Sequence, residues 1–148
     1  MNFDIKFDFQ RRDRLGLIEA IWGQDKSIDQ LERLSENVLS KNEVVFITRI
    51  NSEKANYLLD LYDDARFYEE ANCLTIGKNF NKIITNKKVA IISGGSSDLA
   101  VTLEAQLALE IYGVNCQSFI DVGVAGLHRL MSQLEEINKY DVLIVCAG

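Results

Sequence analysis

Val89-Ala-Ile-Ile-Ser-Gly-Gly-Ser-Ser-Asp98 carries a short apolar strand into two glycines and two serines, and then into a helix expected to open near Asp98. Glycines at 94 and 95 let the backbone turn tightly and come close to a ligand, and the free N–H groups of a helix start face whatever anion lies there. That is how a phosphate-binding turn is built. Taken alone, the same residues are also an ordinary helix entry, since Ser and Asp are common N-caps.

Outward from this turn the pattern alternates: strand 89–93, helix 98–112, strand 115–120, helix 125–138, strand 141–146. Such alternation predicts a βαβαβ unit with a parallel sheet. The helix over 98–112 is apolar nearly all round, through Leu99, Val101, Leu103, Leu107, Leu109 and Ile111, and is expected to be deeply packed. Gly113 stands where a C-terminal cap belongs. The run Asp141-Val-Leu-Ile-Val-Cys146 reads as a parallel strand covered on both faces.

Parallel strands all end on one edge of their sheet, where ligands bind. The first strand would deliver Gly94 to Asp98 there, the second Asp121-Val-Gly-Val-Ala-Gly-Leu-His-Arg129, and the third Cys146, Ala147 and Gly148. The second element holds the chain's single histidine. Its residues have plain readings too: His128, beside Leu127 and near Met131, as a packed histidine, Arg129 as a solvated helix charge, Asp121 as a turn residue. Convergence with the glycine turn makes them candidates for handling a phosphorylated nucleotide.

The amino-terminal half follows different punctuation, with proline absent throughout. Arg11-Arg-Asp-Arg14 precedes a short apolar segment, Leu15 to Trp22, ended by Gly23. Ser27 with Gln30 makes a capping box for a helix presenting Ile28, Leu31, Leu34 and Val38 on one face. Val44 to Thr48 reads as a strand, Asn51 or Ser52 caps a helix bearing Ala55, Leu58, Leu59 and Tyr62, and Cys73 to Ile76 is a second strand. Residues 1–76 are therefore expected to form a small α+β unit, 77–88 an Asn- and Lys-rich linker, and 89–148 the βαβαβ unit.

Composition narrows the function classes. The 148 residues are 47% hydrophobic and 26% charged, with a net charge of −6, so nothing suggests a general attraction for nucleic acid or an anionic membrane surface. An anionic ligand would need local donors. The longest apolar runs fall far short of the roughly 20 residues of a membrane span, and Met-Asn-Phe-Asp is no secretory leader, so the expectation is a cytoplasmic protein. Cys73, Cys116 and Cys146 are an odd number at wide spacing, indicating neither a disulfide framework nor a zinc site; they read as reduced, buried thiols in strands.

From Val89 onward the chain resembles the phosphoribosylaminoimidazole carboxylase (PurE-type) fold of purine biosynthesis. Members carry Gly-Ser-x-Ser-Asp after the first strand and Ala-His-Arg after the second, places held here by Gly94-Gly95-Ser96-Ser97-Asp98 and Leu127-His128-Arg129. The resemblance is closer, and runs from end to end, to a sister family, the nickel-pincer cofactor biosynthesis carboxylases (LarB-type, pyridinium-3,5-biscarboxylic acid mononucleotide synthase). It is carried by Arg14-Leu15-Gly16, Glu19 followed by Gly23, Lys26-Ser27, Ser97-Asp98-Leu99, Asp-Val-Gly-Val-Ala-Gly-Leu-His-Arg-Leu over 121–130, and Ala147-Gly148.

The resemblance implies the first βαβαβ half of a doubly wound, flavodoxin-like sheet, preceded by the small α+β unit. It implies carboxylation of nicotinic acid adenine dinucleotide at the pyridinium ring, with CO₂ or bicarbonate as co-substrate, and cleavage of the phosphoanhydride to the biscarboxylated mononucleotide and AMP. No bound cofactor is expected, a need for a divalent cation is left open, and a homo-oligomer, an octamer in the complete family, is implied. By matching position, Ser97 and Asp98 would bind the sugar-phosphate, the amides after Gly94, including those of Gly95 and Ser96, the phosphate, Asp121 would join these substrate-binding residues, and His128 with Arg129 would line the site as a candidate catalytic pair.

There are departures. Family members continue after Ala-Gly with Met-Glu-Gly-Ala-Leu-Pro and further strands that hold the nucleophilic cysteine, so the chain is expected to be the amino-terminal part of an enzyme, and the nucleophile is not transferred to Cys146. Ile18 replaces a common proline. Two alternatives stand beside the pyridinium reading: a purine-pathway carboxylase acting on an imidazole ribonucleotide, and a nucleotide-binding fragment without catalysis.

Overall fold

The computed structural model describes residues 8, 10–16, 18–77 and 85–148. The chain divides into two compact units, Met1–Asn79 and Phe80–Gly148. Residues 78–84 of the expected linker lie outside the described residues, and Lys88 already belongs to a strand.

The first unit contains α1 (Arg11–Leu15), β1 (Ile21–Trp22), α2 (Ile28–Leu39), β2 (Val45–Thr48), α3 (Ser52–Leu61), β3 (Ala65–Tyr68) and β4 (Cys73–Ile76). Its sheet runs β1-β2-β4-β3, with β1 parallel to β2 and the other pairs antiparallel. Local chemistry sets the helix starts. The Ser27 hydroxyl accepts from the Gln30 amide while the Gln30 side chain accepts from the Ser27 amide, and Asn51 accepts from the Lys54 amide. β1 ends at Gly23, whose N–H donates to the Thr48 carbonyl at 2.7 Å; a Cβ there would stand 2.9 Å from Ile47 Cγ2.

Every residue of β2 and β4 is buried, and Leu31, Leu34 and Val38 of α2 with Ala55 and Leu58 of α3 close over them. The core is thus the stripe that helical spacing marks out, less Ile28 and Leu59, which are half-buried. β3 was not expected. Its four residues are never fully buried, so Ala65-Arg-Phe-Tyr68 offers little alternation to read, and its partner β4 rather than its own pattern makes it a strand.

The second unit contains β5 (Lys88–Ser93), α4 (Leu99–Ile111), β6 (Asn115–Phe119), α5 (Leu127–Ile137) and β7 (Val142–Cys146), in a wholly parallel sheet of order β6-β5-β7. The two helices lie on opposite faces. Cys116 and Ser118 of β6 bond to Gln106 of α4, whereas Gln117 and Phe119, pointing the other way, meet Tyr140 after α5. Leu130 and Ile137 of α5 pack with Ala90, Ile92 and Phe119 on that second face. This is the doubly wound, flavodoxin-like arrangement. Gly113 caps α4 at φ 69°, its N–H bonded to Glu110.

Three burial expectations need correction. In α4 only Thr102, Leu107 and Ile111 are buried and Val101 is exposed, because the helix packs chiefly on β5 and β6 along one side. β7 is not covered: Val142, Leu143 and Val145 are 48%, 52% and 65% exposed, since β7 pairs with β5 alone among the described residues and α5 packs toward β5 and β6. Cys116 and Cys146, on the two outer strands, are accordingly half-buried, and only Cys73 is fully buried.

At the amino edge of this sheet Asp141 latches β7 to β5. Its carboxylate accepts from the Lys88 amide at 2.9 Å and from Lys87 Nζ at 2.7 Å, and its own N–H donates to the Lys88 carbonyl. The hydrogen bond from Lys87, then that from the Lys88 amide, holds the Asp141 carboxyl below the usual carboxylate range, and the same contact raises Lys87.

Candidate functional site

At the opposite, carboxyl edge the three strand ends are tied together through Ser93. This residue closes β5 and is fully buried. Its Oγ accepts from the Asp121 amide and its carbonyl accepts from the Val122 amide, both at 3.0 Å. The next amide, that of Gly94, donates to the Cys146 carbonyl at 3.0 Å. One pair of residues therefore joins the loop after β6 to the end of β7.

Glycine is required at 123, where these loops touch. A Cβ on Gly123 would run into the carbonyl of Gly94, and one on Gly94 would stand 3.2 Å from the Cβ of Ala147. At Gly123 backbone meets backbone and no side chain fits between, whereas at Gly94 a side chain would press on that of Ala147.

The turn after Gly94 runs as a 3₁₀ segment, Ser96–Asp98, into α4. The Asp98 carboxylate accepts from the Gly95 amide at 2.9 Å, and Thr102 Oγ1 donates to the Asp98 carbonyl at 2.9 Å. Asp98 thus folds back on its own turn and takes up one of the amides expected to meet phosphate. Ser96 and Ser97, exposed at the head of the turn, carry the amides and hydroxyls presented to solvent.

In the second element Asp121 adopts φ 59°, a left-handed conformation costing about 1 kcal/mol for a residue with a side chain. Its carboxylate is ion-paired with Arg129, both side chains being part-exposed. A Cβ on Gly126 would collide with the Arg129 guanidinium, so the arginine lies flat against that glycine. His128 is exposed, and the plain reading of it as a packed histidine is corrected: α5 turns Leu130 and Ile137 to the sheet, which leaves position 128 outside.

The structure thus brings Gly94, Gly95, Asp98, Asp121 and Arg129 to one edge with Ala147, and leaves Ser96, Ser97 and His128 on its exposed rim. Sequence reasoning missed Ser93, Gly123 and Gly126. Their signals were a polar residue ending an apolar strand and two glycines inside the 121–130 element. Of the other thiols, Cys116 is pushed up by burial and then by Glu110, so it stays protonated at neutral pH. Among the described residues no three His, Cys, Asp or Glu side chains gather as a metal site, and no helix is long and apolar enough to cross a membrane.

Parallel strands closing on a glycine-lined edge with polar loops define a doubly wound α/β domain with its candidate ligand site at the strand ends. The first unit supplies the more particular assignment, since residues 3–78 match the model of the LarB/PurE-like N-terminal domain. The chain belongs to the LarB/PurE-like family. It is also 33% identical over 152 residues to an uncharacterized protein of Methanocaldococcus jannaschii. That match takes in 97% of this chain and spans 59% of the relative's length.

Proposed function

We propose that this polypeptide is part of a carboxylase/hydrolase of nickel-pincer nucleotide synthesis, holding nicotinic acid adenine dinucleotide at the carboxyl edge of the β6-β5-β7 sheet. The observation that carries this reading is the junction of the Gly94 turn with the Asp121–Arg129 pair, two elements that the resemblance assigns to substrate, in direct backbone contact through Gly123.

The pyridinium reading is supported over the imidazole ribonucleotide by the end-to-end resemblance to the LarB-type family. At the edge Arg129 is balanced by Asp121, and the Asp98 carboxylate is held by the Gly95 amide. Phosphate would be met by the Ser96 and Ser97 amides and hydroxyls rather than by a free cation.

In the reaction proposed, a cysteine thiolate adds to the electron-poor ring and converts the pyridinium to a neutral dihydropyridine. Its enamine carbon attacks CO₂ to form the new C–C bond. Loss of the ring proton to a base and departure of the thiolate restore the pyridinium, while water cleaves the phosphoanhydride and releases AMP. His128, on the exposed rim, is the acid/base candidate in this chain. The thiol is not assigned to Cys146, because the resemblance places the family's nucleophilic cysteine in a different segment. The same reading takes the protein as a cytoplasmic homo-oligomer.

Calorimetry with nicotinic acid adenine dinucleotide tests it: saturable binding, weakened at least tenfold by Arg129→Ala, is expected. Preference for an aminoimidazole ribonucleotide would move the assignment to purine synthesis, and failure to bind either would sink both. With labelled bicarbonate, the 148 residues alone are expected to leave the pyridine ring unlabelled. Label that Cys146→Ser abolishes would make Cys146 the nucleophile.

A further inference from the structure

Ser93 touches nothing outside the protein, yet the geometry of the edge depends on it. It is fully buried, so it meets no ligand itself. Its hydroxyl holds the Asp121 amide and its carbonyl holds the Val122 amide, which together pin the one residue of this edge with a left-handed backbone and a side chain. Asp121 in turn fixes the Arg129 guanidinium, which lies against Gly126. A hydroxyl oxygen at the end of β5 therefore sets, through one backbone bond and one ion pair, where the arginine points.

Without that oxygen the Asp121 amide loses its partner in a part-buried setting, and the left-handed turn loses one of the bonds opposing its relaxation.

We propose that Ser93 is a positioning residue, holding Asp121 in its left-handed conformation so that the Asp121 carboxylate presents Arg129 to a bound nucleotide. The inference rests on the reading of this edge as a nucleotide site. Its structural half, from Ser93 to Arg129, is independent of that reading.

The test compares the full chain with Ser93→Ala, Ser93→Thr, Arg129→Ala and the double variant Ser93→Ala/Arg129→Ala. Ser93→Ala is expected to weaken nicotinic acid adenine dinucleotide binding about fivefold, the worth of one hydrogen bond, and Ser93→Thr to restore it. The double variant is expected to bind no more weakly than Arg129→Ala alone, a non-additivity that general loosening of the fold would not produce.

Independent of ligand, Ser93→Ala should speed amide exchange at Asp121 about fivefold and shift the Arg129 Nε–H resonance. If wild type binds no dinucleotide, the functional reading fails while these two signals still decide the role of Ser93. Additive losses in the double variant, or exchange and resonance both unchanged, would overturn the proposal. Should Ser93→Ala fail to fold, Ser93→Cys, of similar volume and with a weaker acceptor, carries the same comparison.

Discussion

The two units are similar in length and opposite in how they treat their apolar residues. In the first, β2 and β4 are buried at every position and two amphipathic helices finish the core. In the second, the strand richest in Val, Leu and Ile is among the most exposed, and α5 leaves Leu127, Met131 and Leu134 outside while Leu130 and Ile137 face the sheet. A parallel sheet needs a covering layer over each strand, and one helix per face cannot supply it for three strands. The mixed sheet of the first unit, flanked by two helices, closes its core within a similar length. Burial, rather than size, separates the two.

The contrast breaks first in the core. Leu74→Ala on fully buried β4 is expected to destabilise the first unit by about 3 kcal/mol, whereas Leu143→Ala on half-exposed β7 should cost under about 1 kcal/mol. Trp22, the chain's single tryptophan, lies in the first unit, so its fluorescence in urea reads the loss at Leu74, and amide exchange of β5 and β7 reads the loss at Leu143. Comparable losses at the two positions would mean that β7 is covered in solution.

Gly123→Ala should follow in size, because its Cβ meets a backbone carbonyl that cannot move aside cheaply. Dinucleotide affinity is expected to fall more than tenfold, about 1.4 kcal/mol, with the Trp22 transition unmoved. Gly95→Val is the complementary probe. A Cβ there finds only ordinary contacts, 3.7 Å from Ser97 Oγ and 3.9 Å from Asp98 Oδ2, so lost binding with an unchanged circular dichroism spectrum would report on ligand approach. Unchanged affinity would remove the turn from the site.

Association sharpens the contrast at the surface. Exposed apolar side chains on β7 and α5 are expected to drive self-association of the chain, and Val145→Lys with Met131→Lys should lower the mass seen by light scattering. A compact monomer before substitution would refute this.

The smallest effect is electrostatic. Asp141 has a lowered folded-state pKa, so its contribution is present above the ordinary carboxylate range and is lost as pH falls through the lowered value. Lys87 is raised, and its share is present below the ordinary lysine range and lost as pH rises through the raised value. At neutral pH both are in full. Asp141→Asn should therefore flatten the acid limb of the hydrogen-exchange stability of β5 and β7; an unchanged limb would show that the latch contributes nothing measurable.

By itself the sequence determined whatever local chemistry determines. The Ser27–Gln30 box, the Asn51 cap, the stripe Leu31, Leu34 and Val38, and the glycine ending α4 are relations within a few residues, and all are found as read. The alternation after residue 88 likewise specified a parallel sheet and hence a common edge for Gly94, Asp121 and Ala147.

What only the tertiary structure decided involves partners distant in sequence. β3 is a strand because β4 offers it a ladder, and α4 and β7 are less buried than their apolar content suggests because burial depends on what stands opposite. At the site, the inward turn of Asp98, the pairing of Asp121 with Arg129 and the hold of Ser93 on the Asp121 amide depend on hydrogen-bond directions at strand ends, which residue types alone do not contain.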